Sequence, residues 1–180
     1  MATLPTLHAL LIDEIKDLLH AERQLLKAMP KMVKAATHRD LKAGLSEHLA
    51  QTRVHVSRLT DALAILGLPP TGKPCHAMIG LVEETSEVIA VKGPSAVRDA
   101  ALIGAAQRIE HYEMAGYGTA RAFAQALGES KVATLLDDTL EEEGESNKKL
   151  TTISLTVNAE ALAAGGQIEP VKGPRRTMSN

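Results

Sequence analysis

Residues Arg98–Thr119 read RDAALIGAAQRIEHYEMAGYGT, and two features of this stretch decide the fold. Ile103, Gln107, Glu110, Met114, Tyr117 and Arg121 follow one another in steps of three and four residues, the spacing that lines one face of an α-helix. Glu110 thereby takes a place on the inner stripe, with Glu113 nearby. Around the stripe stand Ala100, Ala101, Ala105, Ala106, Ala115 and Gly116, small residues that let a neighbouring helix approach closely. The spacing predicts a helix from about Ser95 to Leu127. It also raises a chemical question, because a carboxylate on a core-facing stripe is costly unless it is paired, hydrogen-bonded or bound to a metal.

Outward from this segment the pattern repeats. Downstream, beyond Gly128, Ser130 reads as an N-cap, and Val132, Leu136, Leu140, Leu150 and Ile153 continue a helical stripe to about Ala163, where Gly165 and Gly166 stop it. Upstream, Gly93 and Pro94 close a shorter periodic stretch, His76 to Ala90. Before it, Leu45, Leu49, Val56, Leu59 and Leu63 form a stripe that ends near Gly67, ahead of Pro69 and Pro70. The first long helix starts at about Thr6 and carries Leu7, Leu11, Ile15, Leu18, Leu19, Leu25, Leu26, Met29 and Val33. Pro30 lies inside it and lacks the N–H that the helical ladder needs, so a kink or break is expected there. The stretch Thr37–Asp40 closes this element.

Two long helices, a long connection holding a short helix, then two more long helices form an all-α, ferritin-like four-helix bundle with one crossover. An offset of 91 residues supports it: Leu49 and Leu59 map onto Leu140 and Leu150, and His20 and Glu22 onto His111 and Glu113. The domain expectation is a bundle over residues 1–163 and a flexible C-terminal tail over 164–180, whose Gly173, Pro174, Arg175 and Arg176 offer little to bury.

Composition narrows the function classes. Trp is absent and aromatic residues are 2% of the chain, so the core is aliphatic. The formal charge is −2, with acids and bases interspersed, which leaves no footprint for nucleic acid or a membrane surface. Cys75 is the single cysteine and suits a reducing, cytoplasmic compartment. No apolar run approaches the ~20 residues needed to span a bilayer, and the first residues do not read as a signal peptide. The chain is expected to be soluble and unprocessed. No phosphate-binding Gly loop, nucleophile elbow or HExxH motif occurs.

The candidate chemistry lies in carboxylates on three helices. Glu22 falls between Leu18 and Leu25 on the first stripe. On the fourth long helix Leu136, Glu143 and Leu150 stand two steps of seven apart, so Glu143 points inward; Glu142 shares that edge, whereas Glu141 and Glu145 read as solvated. The second long helix departs from this pattern, carrying Thr52 where the fourth has Glu143, with His48 and His55 flanking the apolar line and Gln51 further round. Di-iron bundles take one Glu from each of two helices and Glu-x-x-His from each of the others. Thr52-x-x-His55 and Glu143-x-x-Ser146 each keep half of that motif. The two histidines have an alternative reading as polar residues at the edge of the core. Carboxylates with imidazole favour iron or manganese. Tyr112, Tyr117, Cys75 and the six Met read as packing or incidental residues.

On Asp17–Leu25 (DLLHAERQL), Glu47–Leu59 (EHLAQTRVHVSRL), Arg98–Thr119 and Leu135–Thr151 (LLDDTLEEEGESNKKLT), the chain resembles the YciE/YciF family of ferritin-like bacterial stress proteins, over about Leu10 to Ile153. The resemblance implies a dimeric ferritin-like bundle and a di-metal carboxylate site. Carried over by position, Glu22 matches the acid of the first helix, Glu110 and Glu113 those of the third, and Glu142 with Glu143 those of the fourth. The family commonly places acids where Ala50 and Gln51 stand, and often one at Asn147; here all three are neutral. Gln51 can coordinate through its carbonyl but cannot bridge two metals, so this departure implies one metal or weakly held ones.

The metal ligands expected are therefore Glu22, Gln51, His55, Glu110, Glu113 and Glu143, with His48 secondary. The function expected is a stress-associated, homodimeric protein that binds iron, at a di-iron or mononuclear site, or manganese. Ferroxidase or peroxide-consuming activity is the chemistry such a site would support. The competing reading is a non-enzymatic dimeric helical scaffold with a degenerate metal site.

Overall fold

The computed structural model describes residues 5–165. They form five helices: α1 Leu7–Ala35, α2 Arg39–Ile65, α3 His76–Ala90, α4 Ser95–Ala126 and α5 Ser130–Ala164. No strand occurs among the described residues. The expected C-terminal tail lies, from residue 166 on, outside the described residues. Among the described residues, no helix is long and apolar enough to cross a membrane.

Local chemistry sets the helix ends. Thr6 Oγ1 accepts the Ala9 N–H at 3.0 Å and caps α1. Gly67 and Gly128 take positive φ (73° and 76°), and beyond them Leu68 N–H reaches Leu63 O and Glu129 N–H reaches Ala124 O, both at 2.9 Å. These are the six-to-one bonds of Schellman ends, which glycine makes without strain. The start of α2 has no side-chain cap of its own. The buried Asp99 of α4 substitutes: its carboxylate accepts the N–H groups of Thr37 (3.1 Å) and His38 (2.7 Å) and the Thr37 hydroxyl (2.6 Å).

Three expectations from sequence need adjustment. The first helix does not break at Pro30 but runs on to Ala35; Pro removes one donor and crowds one carbonyl, and Met29 and Met32, both buried, hold the last turns in the core. Ser130 is the first residue of α5 rather than its N-cap, a place taken by Glu129 without a side-chain bond. On α4 the inner line runs through Asp99, Ile103, Ala106, Glu110, Glu113, Tyr117, Ala120 and Ala124, all buried. Gln107, Met114 and Arg121 are only half-buried, because alanines carry the interior side of this helix and a stripe drawn through larger residues is turned slightly about the axis.

The helices pack in the cyclic order α1, α2, α5, α4, with α3 against α1 and α4. Neighbours are antiparallel: Asp99 meets Thr37 while Tyr117 meets Glu22, and Glu47 meets Lys149 while Arg58 meets Thr139. With every neighbour antiparallel, the chain leaving α2 must travel the length of the bundle before α4 can begin. Residues 66–94 do this, with α3 inside them. The connection is tied to α1 by Lys73 N–H to Lys16 O at 3.1 Å and Cys75 N–H to His20 Nδ1 at 3.0 Å. Between α1 and α4 the approach is close at Gly116, where an added Cβ would lie 2.8 Å from Leu18 Cδ2.

The apolar core falls into two clusters. One gathers Leu25, Met29, Met32, Leu41, Leu45, Leu102, Ile103, Ile109, Leu150 and Val157. The other gathers Leu11, Ile15, Leu18, Leu19, Leu59, Leu63, Val132 and Leu136, with Tyr117 at its edge. A layer of buried polar side chains lies between them.

Candidate metal centre

Each bundle helix sends polar groups into that layer from adjoining turns. α1 gives Glu22; α2 gives His48, Thr52 and His55; α4 gives Glu110, Glu113 and Tyr117; α5 gives Thr139 and Glu143. The steps of three and four hold them on the same face as the flanking leucines. Burial is nearly complete, with Glu22, His55, Glu113 and Glu143 at 0% exposure, Glu110 at 2% and His48 at 5%.

Two groups of ligand atoms result. Those of Glu22, His55 and Glu143 lie within 4.8 Å of one another, as do those of His48, Glu110, Glu113 and Glu143. Glu143 belongs to both. His55 Nδ1 stands 3.3 Å from Glu22 Oε1 and 3.0 Å from Glu143 Oε1, and His48 Nε2 stands 3.4 Å from Glu110 Oε1 and 3.5 Å from Glu143 Oε2. These approaches are close but lack the direction of hydrogen bonds. Glu22 Oε2, Glu110 Oε2, both oxygens of Glu113, both of Glu143, His48 Nε2 and His55 Nδ1 are all buried without a hydrogen-bond partner.

The surrounding polar contacts hold the ligand groups in place. Tyr117 O–H donates to Glu22 Oε1 at 2.5 Å, and Ser146 O–H to Glu110 Oε1 at 2.9 Å. Glu142 lies on the outer edge and accepts a two-pronged bond from Arg58, at 2.8 and 2.9 Å, while its Oε2 meets His55 Nε2 at 2.8 Å. A His55 that donates Nε2–H to Glu142 turns Nδ1 toward Glu22 and Glu143, where it carries a proton in the metal-free protein and would give its lone pair to a bound ion, the carboxylate–histidine arrangement that orients ligands in metal sites. Thr52, opposite Glu143 in the internal repeat, satisfies its hydroxyl on His48 O at 3.0 Å and on Met29 Sδ at 3.4 Å.

Crowded acids in a dry layer shift their proton affinities. Burial pushes the Glu113 carboxyl well above the ordinary range, and the charges of Glu22, Glu143 and Glu110 push the same way. Glu110 is raised by burial against the opposing pull of His48. Glu143 is raised by burial although its contact with His55 opposes the shift. For His55 burial works against the imidazolium, but Glu143 and Glu22 overcome it and bring the pKa up to about 10. Glu142 goes the other way, held below the usual carboxylate range first by Arg58.

Five of the six ligands expected from sequence, Glu22, His55, Glu110, Glu113 and Glu143, thus lie in the two groups. Gln51 is half-buried beside them, its Oε1 3.4 Å from His48 Nδ1. His48, secondary in the sequence reading, lies in the second group; its spacing of seven from His55 was the signal. Arg58 and Asp99 were missed. Asp99 was legible on the line Asp99, Ile103, Ala106, Glu110, whereas nothing in the sequence tied Arg58 to Glu142 across the bundle. Tyr117, read as packing, is a buried donor to the site.

The set of four carboxylates and two imidazoles suits a hard divalent cation of the iron or manganese type, and the unpartnered oxygens are what such an ion would satisfy. The residues fit a metal ion.

Comparison with known proteins bears on the family and the fold. The family described as a domain of unknown function (DUF892) matches residues 6–163. Protein YciF of Escherichia coli (strain K12) is 39% identical over 158 residues, covering 87% of this chain and 95% of YciF. The crystal structure of that E. coli stress protein superimposes with a TM-score of 0.83 at 38% identity, covering 87% of this chain and 99% of the other. A protein of Rhodopseudomonas palustris called YcfI gives 0.81 at 40% identity, covering 83% and 95%. A two-domain Anabaena variabilis protein with DJ-1/ThiJ/PfpI-like and ferritin-like domains gives 0.59 at 14% identity, covering 93% of this chain and 41% of that one. This last likeness bears on the fold alone, which is ferritin-like.

Proposed function

The chain belongs to the DUF892 family, and on that footing we propose that it is a stress-associated metal-binding protein that holds iron, or manganese, in the carboxylate layer of its bundle. One observation carries the proposal. Glu113 is fully buried, with neither oxygen partnered and three further glutamates around it, a placement that burial energetics punish and a bound cation reverses.

In this reading Glu22, His55 and Glu143 would hold one ion and His48, Glu110, Glu113 and Glu143 would hold another, Glu143 being common to the two groups. The bound metal would supply the redox capacity for ferroxidase or peroxide-consuming activity. The chain's residues supply the rest: Tyr117 fixes one oxygen of Glu22, Ser146 one of Glu110, and the Arg58–Glu142 pair sets the His55 tautomer. The apolar clusters on either side limit water. A homodimer in the cytoplasm belongs to the same proposal; Leu155 and Leu162, seven residues apart on α5 and more than 70% exposed, offer an apolar strip for it.

The competing reading, a scaffold with a degenerate site, draws on Gln51 and Thr52 standing where α2 would offer a carboxylate. Metal analysis of protein produced in iron- and manganese-supplemented media decides between them. The proposal expects about one or two ions per chain, lost in Glu113→Gln. No metal in the wild type, with unchanged metal response of Glu113→Gln, leaves the scaffold.

A further inference from the structure

Gly44, Glu47, His48 and Gln51 follow steps of three, one and three along α2, and across from them α5 presents Glu145, Ser146 and Lys149. Between the two rows lies a cleft of about 230 Å³. His48 is its floor. Beside it a narrower void of about 10 Å³ shares Gly44, His48, Ser146 and Lys149 with the cleft and is lined further by Glu110 and the apolar Leu45, Leu150 and Ile153. That is about the room of one water-sized sphere. The cleft and the void share four lining residues, and the lining includes His48 and Glu110, whose Nε2 and Oε2 are buried and unpartnered.

The chemistry of the mouth favours one kind of visitor. Glu47 and Glu145 are exposed carboxylates, and Lys149 reaches across from α5 to pair with Glu47 on α2, so the mouth keeps one net negative charge behind a movable bridge. Gly44 keeps the space open. It sits inside a helix, where glycine costs about 1 kcal/mol against alanine, yet an added Cβ would meet only Ile153 Cδ1 at 3.6 Å and Lys149 Cε at 3.8 Å. Backbone geometry does not require glycine there. The comparable cleft between α1 and α3, about 240 Å³, is lined by Lys27 and Lys31 and touches none of the buried carboxylates.

We propose that the α2–α5 cleft is the port through which a divalent cation reaches the buried carboxylates, with Glu47 and Glu145 attracting it and the Lys149–Glu47 bridge acting as the latch. This inference rests on the metal-binding reading above and adds the route to it. A port differs from a ligand in one measurable respect. It changes the rates of loading and release by the same factor, because both use the same passage, and leaves the equilibrium constant alone.

The test uses full-length, chelator-stripped protein and Co²⁺ as the probe, with loading followed by stopped-flow absorbance and release by transfer to excess chelator. Gly44→Leu, which fills the passage, should slow both rates by about tenfold or more, with Kd unchanged within about twofold. Lys149→Met, which removes a positive charge and the latch, should speed loading by about fivefold at low ionic strength. That gain should fade as salt shortens the screening length below ~5 Å. Lys27→Met on the other cleft should leave the rates as they are. Should Gly44→Leu fail to fold, Lys149→Met and its salt dependence decide alone. Equal rates in wild type and Lys149→Met at low salt, or a Gly44→Leu protein that folds and loads at the wild-type rate, overturn the port while leaving the metal site standing. A wild type that takes up no Co²⁺ overturns the metal reading and the port together.

Discussion

Replacing Glu113 by Gln should make the metal-free fold more stable, by an amount that grows with pH. Glutamine keeps the shape of the side chain and removes its ionisation. In the unfolded chain a Glu titrates near 4.3, whereas in the fold burial and the charges of Glu22, Glu143 and Glu110 raise Glu113 well above that. A raised native pKa means that the unfolded chain releases its proton first. The wild type therefore keeps its full stability below pH ~4 and loses it as pH rises toward the native pKa, at up to about 1.4 kcal/mol per pH unit for one retained proton. From pH 5 to pH 8 the accumulated penalty reaches roughly 4 kcal/mol at most. Glu113→Gln escapes it.

The assay is urea denaturation followed by circular dichroism at pH 5, 6.5 and 8 in the presence of chelator. The variant should exceed the wild type by about 1 kcal/mol at the lowest pH and by roughly 3 kcal/mol at the highest. Repeating the series with Mn²⁺ at a hundredfold over its dissociation constant should add about 2.7 kcal/mol to the wild type and little to the variant, reversing the order at pH 5 and nearly closing the gap at pH 8. A stability difference that is flat across pH, or a variant less stable than wild type at pH 8 without metal, would refute the reasoning, because Glu113 would then have a partner that the fold does not display.

Asp99→Asn should cost about 2 kcal/mol in the same denaturation assay at pH 7, since the carboxylate accepts from two backbone N–H groups and one hydroxyl and an amide offers one oxygen; Mn²⁺ affinity should not change. Arg58→Met should let the Glu142 pKa return toward the ordinary carboxylate value, readable by NMR titration, and weaken metal binding by about tenfold or more through loss of the His55 tether. Metal-free wild type should show a falling thermal midpoint between pH 6.5 and 10. Stability that His55 contributes fully below its unfolded pKa is lost as pH passes the native value of about 10; a midpoint that rises over this window would contradict the assigned contacts with Glu22 and Glu143.

The fold was legible because α1, α2 and α5 carry enough leucine or isoleucine to set their phase, and because residues 66–94 are too long for a hairpin turn. The short helix His76–Ala90 was legible to the residue. The phase of α4 was less so: alanine has too little side chain to mark an inner face, and the stripe drawn through Gln107 and Met114 sat to one side of the line through Ala106 and Glu113. Glu22 and Glu143 were readable as acids interrupting leucine stripes. What the sequence withheld were pairings across helices. Arg58 with Glu142, Tyr117 with Glu22 and Asp99 with the α1–α2 turn join residues 84, 95 and 61 or 62 positions apart, and no local period records which turn of one helix faces which turn of another.

The two-cluster core also weighs on the competing scaffold reading. The clusters built around Leu25, Met29 and Leu150 and around Leu11, Ile15 and Leu136 could be joined by apolar residues at Glu22, Glu113 and Glu143, and such replacements of buried charge are commonly neutral or stabilising. A bundle kept only as a scaffold has no physical reason to hold three fully buried carboxylates in that layer, nor to station Tyr117, Ser146 and the Arg58–Glu142 pair around them. Sequence departs from foldability in this way where a site needs it. The neutral residues on α2 would then bear on how many ions the layer could hold and how tightly, since His48 and His55 offer donors from that helix where a carboxylate is lacking. Scaffold and metal protein therefore part on one measurement: whether a divalent cation restores the stability that the carboxylate layer withdraws as pH rises.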